Sequence, residues 1–155
     1  MKIYLAADHA GFELKEKVRH WLKSLGYETH DEGAFELKAG DDYPDFIHMA
    51  IKQVASNPEE DKAIIFGGSG QGEAMVANRY PGVRAAVYYG GNPEIIVLSR
   101  QHNNANVLSL GARFVSETEA YDVIKQWLNT EFPPESRHIR RIQKIDNLIK
   151  EENEF

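Results

Sequence analysis

Short apolar runs alternate along this chain with longer stretches in which apolar side chains recur at helical spacing. Runs of four to six residues bounded by polar and turn residues predict buried strands. Five such runs occur, at residues 3–7, 27–30, 63–66, 83–88 and 107–110. The pattern therefore predicts five strands separated by helices.

Helix boundary signals punctuate the stretches between the predicted strands. Gly26 is a natural cap after the first helical stretch, and Pro44 suits the first turn of the second. Asn92 and Pro93 open a helix that carries residues 95–98. Ser116 and Glu119 have the spacing of a capping box, which predicts the start of a further helix.

Strand and helix alternation of this kind predicts an α/β fold, with a parallel sheet covered by helices on both faces. The 155 residues suit one domain, residues 1–155. In such sheets ligands bind beyond the carboxyl ends of the strands. The residues that follow each predicted strand are therefore the first candidates for a site.

A last predicted helix begins near Glu135, after Phe132-Pro133-Pro134 interrupts the regular pattern. Its apolar residues recur along one side and are Ile139, Ile142, Ile145 and Ile149. The sheet is complete before this helix begins. We expect the apolar side to cover either its own domain or a partner subunit.

Composition excludes several classes of protein. The chain has no cysteine, which excludes disulfides, thiolate metal sites and a cysteine nucleophile. The net charge of −6 argues against nucleic acid as the main partner. No apolar run approaches 18 residues, and the apolar N-terminal stretch is too short for a signal peptide, so we expect no membrane partner and a cytoplasmic location.

Glycines dominate the segment after the third strand, Gly67-Gly68-Ser69-Gly70-Gln71-Gly72-Glu73. A P-loop requires lysine where Glu73 stands, and a hydrolase elbow around Ser69 requires glycine where Gln71 stands. A dinucleotide fingerprint requires glycine or alanine at position 73 and belongs after the first strand.

Two interpretations of this glycine loop remain open. It is either a tight turn with a solvated acid or a backbone cradle for an oxyanion, with Glu73 as a base beside it. Enediolate chemistry needs the second arrangement. Burial would raise the pKa of Glu73 and a helix N-terminus would lower it, and the sequence does not decide between them.

Three other segments carry candidate chemistry. Asp8-His9 follows the first strand, where it suits acid–base work or phosphate binding, while Asp8 alone suits a helix cap. A polar loop containing His102 and Asn103 precedes strand five; it offers a titratable group and an amide, or an idle surface histidine. Arg113 follows strand five, at the edge where ligands are expected.

Arg137 and Arg141 are four residues apart and share one face of the last helix. Two guanidinium groups on one face suit a phosphate dianion, although a solvated basic face explains them equally. The six histidines form neither HxH nor HExxH, and no acidic calcium loop occurs, so we expect no metal and no cofactor.

Taken in order, these segments resemble the type B ribose-5-phosphate isomerases and the related galactose-6-phosphate isomerase subunits. The matching motifs span nearly the whole chain and are Asp8-His9-Ala10-Gly11-Phe12, Asp42-Tyr43-Pro44, Gly68-Ser69-Gly70-Gln71-Gly72-Glu73, Ala77-Asn78, Arg100-Gln101-His102-Asn103, and Arg137-His138 with Arg141. The resemblance implies a Rossmann-like five-stranded sheet, a homodimer or dimer of dimers, and an active site shared between subunits.

The resemblance also implies roles for individual residues. One branch of the family uses a cysteine at the start of the glycine loop as its base; this chain has Gly67 there and matches the branch that uses a glutamate, here Glu73. Ser69 and the loop amides of Gly68, Gly70 and Gly72 would stabilise the enediolate, and Asp8 and His102 would open the sugar ring. The remaining matched positions bind phosphate or line the site, and they are His9, Arg113, Arg137 and Arg141 for phosphate, and Tyr43, Asn103 and His138 for the lining.

We therefore expect an isomerase that interconverts ribose 5-phosphate and ribulose 5-phosphate with Glu73 as its base. Two alternatives remain: an isomerase of a six-carbon sugar phosphate such as allose or galactose 6-phosphate, and a phosphosugar-binding module without catalysis. The position of Glu73 beside the glycine cradle favours catalysis, because a carboxylate near a bound phosphate repels it.

Overall fold

The computed structural model describes residues 1–152, and the side chains of residues 1–148. Five parallel strands form one sheet in the order β2-β1-β3-β5-β4. The strands are β1 Ile3–Ala7, β2 Thr29–Asp31, β3 Lys62–Gly67, β4 Ala85–Tyr88 and β5 Val107–Gly111. The predicted α/β class and parallel sheet are confirmed.

Six helices accompany the sheet within residues 1–152. They are α1 Phe12–Ser24, α2 Tyr43–Ser56, α3 Gln71–Ala77, α4 Glu94–Asn103, α5 Glu117–Asn129 and α6 Ser136–Glu152. The capping box before α5 is half formed: Ser116 Oγ accepts a bond of 3.2 Å from the Glu119 N–H. The Glu119 carboxylate instead accepts from the Tyr88 hydroxyl at 2.8 Å.

Alternate residues of each strand face opposite helical layers. In β1, Ile3, Leu5 and Ala7 belong to a core with α1, α4 and α5, while Tyr4 and Ala6 belong to a core with α2 and α3. Both faces of the central strands are therefore buried, which explains why β1 and most of β3 are continuous apolar runs rather than alternating sequences.

Two strand boundaries differ from the sequence prediction because local backbone bonds compete with the sheet. Tyr27 was expected in β2, but its N–H closes α1 by donating to the Leu22 carbonyl at 3.1 Å. Val83 and Arg84 were expected in β4. Val83 donates to Tyr80 within a turn, and the Arg84 N–H donates to the side chain of Asn106 at 2.8 Å.

Strands β1, β3 and β5 are neighbours, so the segments that follow them meet at one edge of the sheet. Ala7 pairs with Phe66, and Gly67 pairs with Gly111. Asp8 and His9, the glycine loop, and Arg113 are therefore adjacent at the carboxyl edge, as expected for a ligand site in this fold.

Residues 101–104 were predicted to be a polar loop, and that prediction is wrong for most of the segment. His102 and Asn103 form the last turn of α4, and Asn104 ends the helix in the left-handed conformation (φ 47°). Helix α4 runs back from the carboxyl end of β4 to the start of β5. His102 and Asn103 therefore lie at the amino edge, and β5 alone separates the two edges by roughly 13 Å.

Helix α6 packs along α4, and its apolar side is incompletely covered. Ile139 and Ile142 are half-buried, whereas Ile145 is 46% and Leu148 63% exposed. The side chain of Ile149 lies outside the described residues. Within residues 1–152, no helix is both long enough and apolar enough to cross a membrane.

Candidate active site

A cavity of about 430 Å³ opens at the carboxyl edge of the sheet. It is lined by the segments that follow β1, β3 and β5 and by the first residue of α2. Its lining residues are Asp8, His9, Ala10, Tyr43, Gly68, Ser69, Gly72, Glu73, Arg113 and Phe114. Eight of the fourteen residues singled out from the sequence thus lie around one cavity.

Glu73 stands in the first turn of α3 and is only 4% exposed. Burial raises the pKa of its carboxyl above the ordinary value, and the negative charge of Asp8 raises it further. A hydrogen bond from the backbone N–H of Glu73 itself lowers the pKa, but by less than burial raises it. The sequence left the direction of this pKa shift open, and burial decides it.

The space beside Gly67 is filled by the Glu73 carboxylate. A Cβ atom built on Gly67 would overlap the carboxylate oxygens, so any larger residue at position 67 displaces Glu73. The predicted position of Glu73 at the end of the cradle therefore depends on the glycine that opens the loop.

Gly70 turns the loop into α3 and does not line the cavity. Its φ of 77° lies in the left-handed region, and a Cβ there would come within 3.0 Å of the Leu110 carbonyl carbon. Ser109 Oγ donates to the Gly70 carbonyl at 2.6 Å. This buried hydroxyl on β5 therefore ties the loop to the sheet.

Asp8 is 7% exposed and combines the two roles that its position suggested. Its Oδ1 accepts from the backbone N–H groups of Ala10 at 2.9 Å and Gly11 at 3.2 Å. These bonds brace the turn before α1, although the helix cap itself is Gly11. The carboxylate also lines the cavity, where it faces Glu73 closely enough to affect that residue's pKa.

His9 is held by Asp41, a residue that the sequence analysis missed. Asp41 Oδ1 lies 2.6 Å from His9 Nδ1 and 2.9 Å from the His9 backbone nitrogen. The adjacent motif at residues 42–44 was recognised, and the preceding carboxylate was the available signal. Ser109 was missed as well, although a lone hydroxyl in an otherwise apolar buried strand signals a fixed hydrogen bond.

Arg113 belongs to the cavity of its own chain. Its backbone N–H donates to the Gly68 carbonyl at 3.1 Å, and its guanidinium lies against Gly68, with Nη1 3.1 Å from where a Cβ would stand. Phe114 follows and packs edge-on to Tyr89 with ring centroids 6.2 Å apart. The glycine loop and the segment after β5 are thus joined beside the cavity.

Five residues that the resemblance assigns to the site lie elsewhere in the chain. We call this group the α4–α6 corner; it comprises His102, Asn103, Arg137, His138 and Arg141. The His102 and His138 rings stack with centroids 4.7 Å apart and an interplanar angle of 15°. The structure brings these two residues together, at the end of α4 and the start of α6, but not beside Glu73.

His138 is the buried member of the corner, at 3% exposure. Burial lowers the pKa of its imidazole, and the neighbouring Arg137, His102 and Arg141 lower it further. Glu135 opposes this by raising the pKa of His138, and its carboxylate also pairs with Arg137 Nε at 3.0 Å. Arg137 and Arg141 are exposed.

One group within the described residues offers metal-ligand atoms close together. Asp8, His9 and Asp41 each place a possible ligand atom within 4.8 Å of the others. The His9 Nδ1 to Asp41 Oδ1 bond already uses two of those positions. A metal at this point would have to replace that hydrogen bond.

Sequence and structural comparisons agree with this geometry. The Ribose/Galactose Isomerase family profile matches residues 3–145. Ribose-5-phosphate isomerase B of Mycobacterium tuberculosis is 39% identical over 142 residues, covering 92% of this chain and 86% of that protein. The crystal structure of ribose-5-phosphate isomerase B from Mycoplasma genitalium with bound ribulose-5-phosphate superposes with a TM-score of 0.91 at 38% identity, covering 97% of each chain.

A third relative gives the same agreement. The ribose 5-phosphate isomerase of Thermotoga maritima is 42% identical, with a TM-score of 0.86, covering 94% of this chain and 97% of that one. The fold is thus shared with these structures over nearly the full length of the chain. The chain belongs to the ribose/galactose isomerase family.

Proposed function

We propose that this chain, acting as a single domain, is a metal-independent aldose–ketose isomerase that interconverts ribose 5-phosphate and ribulose 5-phosphate. The observation that carries the proposal is the buried Glu73 carboxylate, which lines the same cavity as the glycine loop. The names of the relatives support the substrate, and the relative from Mycoplasma genitalium holds ribulose-5-phosphate. Because phosphorylated sugars are retained inside cells, we place the protein in the cytoplasm.

The proposed reaction moves the sugar carbonyl from C1 to C2 through a cis-enediolate. Glu73 removes the C2 proton, the electron pair of that C–H bond forms the C1–C2 double bond, and negative charge develops on the C1 oxygen. The same carboxyl then returns the proton to C1, while the C2 hydroxyl loses its proton as its C–O bond becomes the carbonyl and the C1 oxygen gains a proton to become a hydroxyl. One carboxylate serves as base and acid in turn, and no electron enters or leaves the sugar.

Backbone donors of the glycine loop supply the electrostatic part of the mechanism. Gly68, Ser69 and Gly72 line the cavity, and we assign the stabilising role to their backbone N–H groups and to the Ser69 hydroxyl. Preorganised donors of this kind stabilise charge as it develops on the enediolate oxygen. The raised pKa of Glu73 suits a group that must hold a proton between two steps, since a general base works best with a pKa near the working pH.

Ring opening and phosphate binding require the remaining residues. We assign ring opening to Asp8 and His102, and phosphate binding to His9, Arg113, Arg137 and Arg141. Tyr43, Asn103 and His138 line the complete site. Within one chain, Asp8, His9, Tyr43 and Arg113 surround the cavity, whereas the α4–α6 corner lies at the other edge of the sheet.

We infer that a twofold homodimer, alone or paired as a dimer of dimers, completes each site. The α4–α6 corner cannot reach its own cavity without dismantling α4, so a second copy must supply it. The exposed apolar residues of α6, Ile145 and Leu148, suit burial against that copy. In a twofold dimer, the α4–α6 corner of each subunit completes the cavity of the other, so both cavities are complete.

The direct test is a substrate comparison with purified protein. Ribose 5-phosphate, allose 6-phosphate and galactose 6-phosphate are offered separately, and ketose formation is measured. Turnover that is fastest for ribose 5-phosphate supports the proposal. Faster turnover of a six-carbon sugar phosphate would mean that this sugar is the substrate. Binding of all three sugars without turnover would mean that the protein is a phosphosugar-binding module.

A further inference from the structure

One carboxylate oxygen of Asp41 accepts two hydrogen bonds, both from His9. Its Oδ1 accepts from the His9 backbone N–H at 2.9 Å and lies 2.6 Å from His9 Nδ1. The Asp41 side chain is 8% exposed, while that of His9 is 32% exposed. A nearly buried carboxylate thus fixes both the main chain and the ring of a partly exposed histidine that lines the cavity.

This contact determines which nitrogen of His9 carries a proton. A carboxylate only accepts hydrogen bonds, so Nδ1 must donate, and a lone pair on Nδ1 would face the lone pairs of Asp41. Nε2 is then the free ring nitrogen, and it has no hydrogen-bond partner among the side chains and backbone of the described residues. It is the nitrogen available to a ligand in the cavity.

Asp8 does not compete for this role. Its Oδ2 lies 3.9 Å from His9 Nδ1, beyond hydrogen-bond distance, and its Oδ1 is already engaged by two backbone N–H groups. Asp41 instead approaches from the loop between β2 and α2, which also delivers Tyr43 to the cavity. The loop therefore contributes one residue to the cavity lining and one residue behind it.

We propose that Asp41 is the positioning residue of His9 and, resting on the function proposed above, that it readies the ring for a phosphate monoester. Asp41 fixes Nδ1–H and directs Nε2 at the ligand. A ring that carries both protons then donates from Nδ1 to Asp41 and from Nε2 to a phosphate oxygen. Asp41 itself does not touch the substrate.

The first test observes the ring directly in the free protein. Nitrogen-15 NMR distinguishes the two neutral imidazole tautomers, and we expect His9 to be protonated at Nδ1 in the wild type. Asp41→Asn should shift His9 toward the Nε2–H form, because an amide can also donate to Nδ1. Asp45→Asn is the matched control: it removes an exposed carboxylate four residues away and should leave the His9 spectrum unchanged.

The second test measures the affinity for inorganic phosphate in a double-mutant cycle. Asp41→Asn should weaken phosphate binding by about tenfold, the range for a charge-assisted hydrogen bond. In a His9→Ala background the same change should have an effect below about twofold, because the ring through which Asp41 acts is gone. A role limited to holding the loop would weaken binding equally in both backgrounds.

Two results would overturn the proposal: a wild-type His9 protonated at Nε2 alone, or an equal loss of phosphate affinity with and without the His9 ring. The tautomer in the wild type needs no variant, so it decides the matter even if Asp41→Asn fails to fold. Neither readout requires turnover. Absence of isomerase activity would therefore refute the proposed function and leave the role of Asp41 to be decided separately.

Discussion

The carboxylate of Glu73 occupies the space into which a side chain at Gly67 would project. The resemblance described above implies that another branch of the family carries a cysteine base at the position of Gly67. The geometry explains why the two arrangements are alternatives, since both bases would place their reactive atoms in the same volume. Glycine at position 67 therefore leaves free the space that the Glu73 carboxylate occupies as the proposed base.

Gly67→Ala tests this relationship. The added methyl group should displace the Glu73 carboxylate and lower kcat by at least about 10²-fold, the lower range for loss of general base catalysis. Steady-state kinetics on ribose 5-phosphate measure the effect. The control is the Glu73→Ala background, in which the space beside Gly67 is empty. In that background Gly67→Ala should not lower kcat further. A second large loss of kcat would mean that the methyl group damages the loop itself.

The pH dependence of the rate follows from the raised pKa of Glu73. Only the ionised carboxylate removes a proton, so kcat/KM should fall as the pH drops through a value above 4.5, the ordinary pKa of glutamate. Asp8→Asn should move this acid limb to lower pH, because one cause of the shift is removed. Burial is the larger cause, so the limb should remain above 4.5 in the variant. An acid limb that does not respond to Asp8→Asn would contradict this coupling.

The ionised Glu73 side chain should also lower the free energy of unfolding at neutral pH. Its pKa is higher in the folded than in the unfolded chain, so the folded state binds more protons and stability falls as the pH rises between the two values. Glu73→Gln should therefore raise Tm at neutral pH, by about 2–4 °C for each kcal/mol of relieved burial. Thermal unfolding at several pH values measures this. The difference should disappear below about pH 4, where Glu73 is protonated in both states; a constant difference would point to another cause.

Shared sites predict complementation between subunits. Glu73→Gln and His102→Ala proteins, each inactive, should regain about a quarter of the wild-type activity when subunits exchange at random, because half of the dimers are mixed and one of their two sites is intact. Mixing Glu73→Gln with Asp8→Asn is the control, since both residues line one cavity and every mixed site keeps a defect. Mixed dimers of the first pair that stay inactive would refute the composite site.

The sequence predicted the sheet well because both of its faces are buried. Short apolar runs such as residues 3–7 and 107–110 are typical of strands that are buried on both faces. Boundaries failed where a side chain competed with the sheet, as where Asn106 binds the Arg84 N–H in place of a strand partner. The strand order was not predicted, because apolar periodicity carries no information on which strands are neighbours.

The resemblance predicted a site shared between subunits, but the sequence did not show which of its residues lie together in one chain. His102 was noted as preceding strand five, and in a parallel sheet that position already implies the edge opposite to the ligand. Asp41 and Ser109 were not predicted, because their roles depend on contacts with residues distant in sequence, His9 and Gly70. Contacts between residues 32 and 39 positions apart leave no periodic signal in one sequence.

The central claim is that Glu73 removes the C2 proton of a pentose phosphate. Proton NMR in deuterated water can follow the C2 hydrogen of ribose 5-phosphate as the ketose forms. Wild-type protein should convert the sugar and exchange this hydrogen with solvent, and Glu73→Gln should slow both by about 10²–10⁴-fold with little change in KM. A Glu73→Gln protein that converts and exchanges ribose 5-phosphate at nearly the wild-type rate would contradict the account.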